Sequence, residues 1–219
     1  MTVVTGVSAP PRVAPLILEG RHVRLEPLGL AHAPALAAAA TGPRDTYRFT
    51  LVPTDLAAMR AYIESALADQ AAGRALPFAT VARATGRVLG STRFGNIEFW
   101  PWAAANVHQR GPELPDVVEI GWTWLAAAAQ RTPVNTEVKL LMLTHAFETW
   151  RVHAAKLNTD ARNQRSRAAI ERIGARFDGV LRAHRPASDG GIRDTAAFSL
   201  LEAEWPVAKA RLLARLGGI

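Results

Sequence analysis

The run Val117 to Leu125 restricts the fold of this chain more than any other segment. Its letters, Val-Val-Glu-Ile-Gly-Trp-Thr-Trp-Leu, are β-branched or aromatic at most positions and read as a strand. A helix is expected over 136–150, where Val138, Leu140, Leu141, Met142, Leu143, Ala146 and Phe147 make it apolar on most sides and therefore buried. A second strand follows over 153–160. Strands and buried helices in this order need a layered fold.

The flanking segments extend the pattern. Residues 16–28 alternate after Gly20 and read as a strand or hairpin, and an Ala-rich helix over 31–40 is stopped by Gly42-Pro43. Thr54 is the expected N-cap of a helix carrying Leu56, Met59, Ile63 and Leu67, closed at Gly73. Strands over 77–84 and 87–99 form a hairpin at Thr85-Gly86, and 100–116 is a long loop with three prolines. A short helix over 164–173 ends at Gly174. Strands over 176–186 and 192–201 flank the turn Asp189-Gly190-Gly191, and a last helix covers 202–216. The order argues an α/β chain: an α+β mixed sheet with helices on its faces. Residues 1–15 read as a disordered tail, and 16–219 as one domain.

Composition narrows the chemistry. The 219 residues contain no cysteine, which removes thiolate metal sites, disulfide frameworks, iron–sulfur clusters and cysteine nucleophiles, and fits a reducing cytosol. No apolar stretch approaches the ~20 residues of a membrane span, and the N-terminus does not read as a signal peptide. The net charge is +7, yet only three of the 26 basic residues are lysine, so composition alone says little about nucleic acid. The location of the charge says more. Residues 151–185 hold nine Lys or Arg against three Asp or Glu, a candidate cradle for phosphates.

Several motif classes are missing. The six histidines show no metal-binding spacing, and neither a GxGxxG, a GxxxxGK[ST] nor a GxSxG motif occurs. What remains is the strand–loop–helix from 117 to 150. Strict alternation puts Glu119, Gly121 and Thr123 on one face of the strand, with Val118, Ile120, Trp122 and Trp124 on the other. A carboxylate in so apolar a strand is costly to bury unless it is partnered or working. The loop 126–135 feeds a helix N-terminus, whose free amides favour an anion. From the residues alone two readings stay open: a working site, or a solvated sheet face beside a plain connection.

Five segments occur in an order and spacing that resembles a known family. They are Leu18-Glu19-Gly20-Arg21-His22-Val23-Arg24-Leu25, Glu119-Ile120-Gly121-Trp122-Thr123-Trp124-Leu125, Gln130-Arg131-Thr132-Pro133-Val134-Asn135-Thr136-Glu137, Asp160-Ala161-Arg162-Asn163-Gln164-Arg165-Ser166 and Ile170-Glu171-Arg172-Ile173-Gly174-Ala175. The family is the GNAT acetyl-CoA-dependent N-acetyltransferases, and the branch resembled is the RimJ/RimL type of ribosomal-protein acetylators. The resemblance runs over 16–205. It implies a splayed central sheet flanked by helices, in which two parallel strands, here 117–125 and 153–160, part around the pantetheine arm.

The family's pyrophosphate loop, [Gln/Arg]-x-x-Gly-x-[Gly/Ala], falls on 130–135, with Pro133 and Asn135 in place of both small residues. Pro133 brings no N–H. The resemblance implies cofactor contacts from Gln130, Arg131, Thr132, Val134, Asn135, Thr136, Asn163 and Arg165, with Arg162 and Arg167 as further phosphate candidates. It implies Glu119 as general base, directly or through water, and Ser166 near the leaving thiolate. Asn163 is equally a natural N-cap for the following helix. The only tyrosines, Tyr47 and Tyr62, lie far upstream of the place where many members carry a tyrosine acid. The acceptor side is expected from 41–53 and 100–116, with Trp100 and Trp102 nearby.

The expected protein is a cytoplasmic N-acetyltransferase with acetyl-CoA as co-substrate and no metal. Its acceptor is the amine of a protein N-terminus or of a small molecule such as an aminoglycoside. Ribosome association and a homodimer fall within what the resemblance allows. A non-catalytic acyl-CoA-binding, ribosome-associated module stays open as a different class.

Overall fold

A computed structural model describes residues 13–217. Strands β1 (Leu18–Glu19), β2 (Val23–Pro27), β3 (Leu76–Ala82), β4 (Val88–Glu98), β5 (Val117–Leu125), β6 (Ala154–Asp160), β7 (Arg176–Pro186) and β8 (Ile192–Leu201) form one sheet in the order β1-β2-β3-β4-β5-β6-β8-β7. The helices are α1 (Ala33–Ala39), α2 (Leu56–Ala71), α3 (Pro133–Thr144), α4 (Gln164–Ile173) and α5 (Trp205–Arg215). All neighbouring strands are antiparallel except β5 and β6, which the α3 crossover makes parallel.

The mixed α/β sheet expected from the element order is present, with a core on each face. Val118 and Ile120 pack with Val138, Met142 and Leu143 of α3 and with Leu212 of α5. On the other face, Ala79, Val81 and Trp124 pack with Leu36 of α1 and Met59 and Ile63 of α2. The tail expected over 1–15 lies, up to residue 12, outside the described residues. Val13 and Leu16 already pack against the α3 side of the core.

Helices α1 and α5 begin at Ala33 and Trp205, two and three residues later than expected, each after a 3-10 turn, and the starts of α2 and α3 differ as well. Asp55, not Thr54, caps α2: its backbone is extended and its Oδ1 accepts the Ala58 N–H at 2.8 Å. Helix α3 begins at Pro133, three residues before 136. Proline suits the first helical position because that N–H has no intrahelical partner, and Thr132 caps the turn by accepting the Val134 N–H at 3.4 Å. The helix ends in a π-turn, His145–Thr149.

Helix α3 is fixed to the β1–β2 hairpin by one buried side chain. Both carboxylate oxygens of Glu137 accept backbone N–H groups, from Arg21, His22 and Val23, each at 2.7 Å. Gly20 makes this approach possible: a Cβ there would lie 2.4 Å from the Glu137 carboxyl carbon.

Strict alternation along β5 fails at one place. Arg93 pairs with Gly121 but Ser91 pairs with Trp124, so two steps on β4 face three on β5, and Trp122 takes φ 50°. This is a β-bulge. It turns Thr123 away from the Glu119 face toward α3, and puts Trp124 against α1 and α2. Gly121 stays beside Glu119, whose Oε1 would lie 3.2 Å from a Cβ at that position.

Candidate active site

The sheet opens where β5 and β6 part. They pair only at Val117–Ala154, Val118–Ala155 and Glu119–Lys156. Beyond that point β6 continues along β8 while the bulge turns β5 aside. The gap is a cleft of about 810 Å³. Glu119 stands at its inner end, 5% exposed, with Oε2 accepting the Asn96 Nδ2–H at 2.7 Å. Asn96 has φ 43° in a stretch where the β4–β5 register slips, and this irregularity aims its amide at the carboxylate.

The outer end is built around the start of α3. Arg131, at φ 59°, and Thr132, Asn135 and Thr136 line the cleft. Thr132 Oγ1 also donates to Ala129 O at 2.7 Å. Proline at 133 removes an amide that the first turn leaves unpaired in any case, so the other amides of that turn keep their geometry. Gln130 lines the cleft, but its Nε2 is committed to Thr46 Oγ1 (3.0 Å) and Leu125 O (2.9 Å). Across the gap, Asn163 Oδ1 accepts the Ser166 N–H at 3.0 Å, so Asn163 caps α4 as its sequence position suggested. Both residues face the cleft.

The basic segment divides. Arg165 lines the cleft and donates to Thr46 O at 2.5 Å. Arg162 is tied to Asp160 and Asp189, and Arg167 lies over Phe177. Neither of these two is in the cleft lining. The loop 44–52 covers the cleft on the α2 side, latched by Tyr47 Oη to Leu125 O (2.8 Å) and by Ser188 Oγ to Arg48 O (2.7 Å). The loop 100–116 does not reach it. Trp100 stacks on His153, and Trp102 Nε1 donates to Asp116 Oδ1 at 2.7 Å, away from the cleft.

Sequence reading missed the contribution of the last hairpin. Arg185 and Arg193 line the cleft, and both Arg193 and His184 lie within the electrostatic reach of Glu119. A β7–β8 register slip, with Ala183 at φ 48°, sets the course of the strand just before His184, whose Nδ1 meets Thr195 Oγ1 at 3.0 Å. Desolvation, helped by Arg185 and Arg193, lowers the His184 pKa, so the imidazole is neutral at neutral pH. The only signal in the sequence was charge: two arginines flanking a hairpin turn.

Lys139 is the other unforeseen group. Its ammonium is buried in the cleft wall with one side-chain partner, Thr123 Oγ1 at 2.7 Å, and that hydroxyl is shared with Thr92 at 2.8 Å. Burial lowers its pKa to about 7. The unfolded chain keeps this amine protonated up to about pH 10.4. Between the two values the unfolded state binds more protons, so the term favours folding as pH rises from about 7 to 10. Below pH 7 the burial cost is fully present. Lys139→Met is expected to stabilise the fold by a few kcal/mol at pH 6, with the gain shrinking toward pH 10. Urea denaturation at pH 6, 8 and 10 checks this, and an equal ΔΔG at all three would disprove it.

Among the described residues no group of three His, Cys, Asp or Glu is placed to hold a metal ion, and no helix is long and apolar enough to cross a membrane.

Comparison with known proteins supplies the class. The family model of the acetyltransferase (GNAT) domain matches residues 22–176. The chain belongs to the GNAT acetyltransferases, a family whose members use acetyl-CoA. Among solved structures, a GCN5-related N-acetyltransferase from Brucella melitensis is 30% identical, with a TM-score of 0.78 over 93% of this chain and 86% of that one. A protein assigned as an acetyltransferase from T. thermophilus is 35% identical, with a TM-score of 0.74 over 93% and 98%. Mycobacterium smegmatis RimJ, solved with CoA-disulfide, shares the fold at 20% identity, with a TM-score of 0.67 over 93% of each chain. No curated protein matches the chain at a significant level.

Proposed function

We propose that this acetyltransferase moves the acetyl group of acetyl-CoA directly onto a primary amine, with Glu119 as the proton acceptor. The observation that carries the reading is the position of Glu119: a buried carboxylate, held by one amide, at the point where the two parallel strands separate. An amine must lose its proton before it attacks a thioester, and a carboxylate at the closed end of the cleft takes it, directly or through one water. Ser166, across the gap, donates its hydroxyl toward the departing sulfur.

The site residues fit the cofactor. Asn135 and Thr136 in the first turn of α3, together with Arg131, offer amides and charge to phosphates. Thr132 and Val134 shape that turn, and Arg165 and Asn163 face it across the gap. Gln130 contributes by holding Thr46 over the same end. When bound, acetyl-CoA supplies the acetyl group, and the chain orients it and manages protons. The RimJ/RimL branch is supported by the Asn163-Gln164-Arg165-Ser166 motif and by the shared fold of RimJ, which makes a protein N-terminus one acceptor to test beside small amines. A cytoplasmic setting fits the absence of cysteine.

Acetyl-CoA at 100 times its dissociation constant is expected to stabilise the protein by about 2.7 kcal/mol, seen as a rise in Tm. Turnover is then read with labelled acetyl-CoA over amines, aminoglycosides and N-terminal peptides. An unchanged Tm in millimolar CoA and acetyl-CoA overturns the cofactor assignment. A shift without transfer to any amine leaves a binding module.

A further inference from the structure

Two guanidinium groups in the cleft have no carboxylate of their own. Arg185 on β7 and Arg193 on β8 are cross-strand partners near the hairpin turn, and both line the cleft that holds Glu119. Among the described residues neither side chain has an ion pair or a hydrogen bond, and Arg193 Nε is fully enclosed without a partner. The neighbouring acids are engaged elsewhere. Asp160 and Asp189 are held by Arg162, Asp194 Oδ1 accepts the Ala183 N–H at 2.8 Å, and Glu119 is bonded by Asn96.

Two half-buried cations side by side repel each other, and desolvation adds to the cost. Burial first, and then the field of Arg185, pull the Arg193 pKa below its usual range, against the smaller opposing fields of Asp160 and Glu119. An anion between them would relieve both effects. The phosphate-binding residues proposed above surround the start of α3 and the Thr46 part of the loop 44–52, whereas the hairpin pair lies in the field of Glu119 and its turn meets that loop at Arg48, through Ser188.

We propose that Arg185 and Arg193 bind a carboxylate carried by the acceptor, so that the preferred acceptor is a primary amine with a carboxylate a few bonds from its nitrogen. Free amino acids and peptide N-termini bearing an acidic side chain share this chemistry. The inference rests on the acetyl-transfer reading, and it names the acceptor class for that site. The same field does two things for the reaction. It attracts the carboxylate, and it opposes an ammonium ion close by, which favours the neutral amine that the attack needs. A polycationic acceptor such as an aminoglycoside is disfavoured by the same charges.

The test uses matched acceptors that differ only in charge: free amino acids against their amides, and N-terminal tripeptides with Asp or Glu against the same peptides with Asn or Gln. For the wild-type protein, kcat/KM is expected to favour the carboxylate member by about 10–100-fold, the range of a charge-assisted bidentate contact. In Arg185→Gln and Arg193→Gln the ratio should fall toward one while CoA affinity stays within about twofold. The two acceptor series show whether the source is a free amino acid or a peptide. Equal rates for the members of each pair, or a preference for aminoglycosides, overturn the proposal. So does a loss of CoA affinity in either variant, since the pair would then serve the cofactor. Calorimetric titration of the same pairs into CoA-loaded protein reads the subsite without turnover. Selective binding of the carboxylate member there, with no acetylation, would retain the subsite and reject the transfer reading. No selective binding would reject the subsite.

Discussion

Glu119→Gln is expected to lower kcat by roughly 10²–10⁴-fold, the range for losing a positioned general base. Acetyl-CoA affinity should stay nearly unchanged. The substitution keeps the shape of the side chain, and its carbonyl oxygen can still accept the Asn96 amide that now sits 2.7 Å from Oε2. Only the capacity to take a proton is lost. The deficit should narrow as pH rises, because more of the amine then arrives already neutral. The measurement is a pH profile of kcat and kcat/KM for both proteins between pH 6 and about 10. Normal turnover of the variant at neutral pH would remove Glu119 from the reaction. Neutral His184, which feels the charge of Glu119, is then the next proton acceptor to exchange.

The largest loss of stability is expected from Glu137→Ala. Three backbone N–H groups, of Arg21, His22 and Val23, would lose a charged acceptor at 2.7 Å, and the Val23 amide is fully buried. An orphaned buried donor costs about 1–3 kcal/mol, and the two partly buried bonds to the charged carboxylate add to it, so a loss of roughly 3–5 kcal/mol is expected. A typical domain has about 5–15 kcal/mol in total. Glu137→Gln should fall in between, since it keeps one acceptor but turns an NH₂ toward a donor. Gly20→Ala should resemble the alanine variant, because its methyl would strike the carboxyl group. Urea unfolding of the three proteins checks the ranking. A loss below about 1 kcal/mol for Glu137→Ala would mean that water replaces the carboxylate at those amides.

The sheet and helices were legible because their signals are local. The β-branched and aromatic run 117–125, the apolar faces of α2 and α3, and Gly174 after α4 each report on residues next to them in the chain. The bulge at Trp122 was not legible, since it exists only in the register between β5 and β4. It misplaced Thr123 by one face, and with it the link to Lys139. Glu119 could be found because a lone carboxylate in an apolar strand conflicts with its surroundings. Glu137 has the same property in an apolar helix, but its partners are backbone amides more than a hundred residues away and leave no trace in composition. Arg185 and Arg193 entered the cleft through the packing of a hairpin whose own pattern is that of an exposed sheet edge. Trp100 and Trp102 failed in the opposite sense. Aromatic residues in a long loop suggested a pocket, and His153 and Asp116 hold them elsewhere.

The parting of β5 from β6 leaves something unfinished inside the protein. From Ile120 to Leu125, the peptide groups that would face a neighbouring strand have none, although β5 is a central member of the sheet. An edge of this kind at a protein's surface is a template for the next chain that comes by. Here residues of α4 and of the loop 44–52 line the same opening. In the reading proposed above, the guest of that opening is slender and carries amide groups of its own, the arm of acetyl-CoA, which would pair with the edge as a strand would.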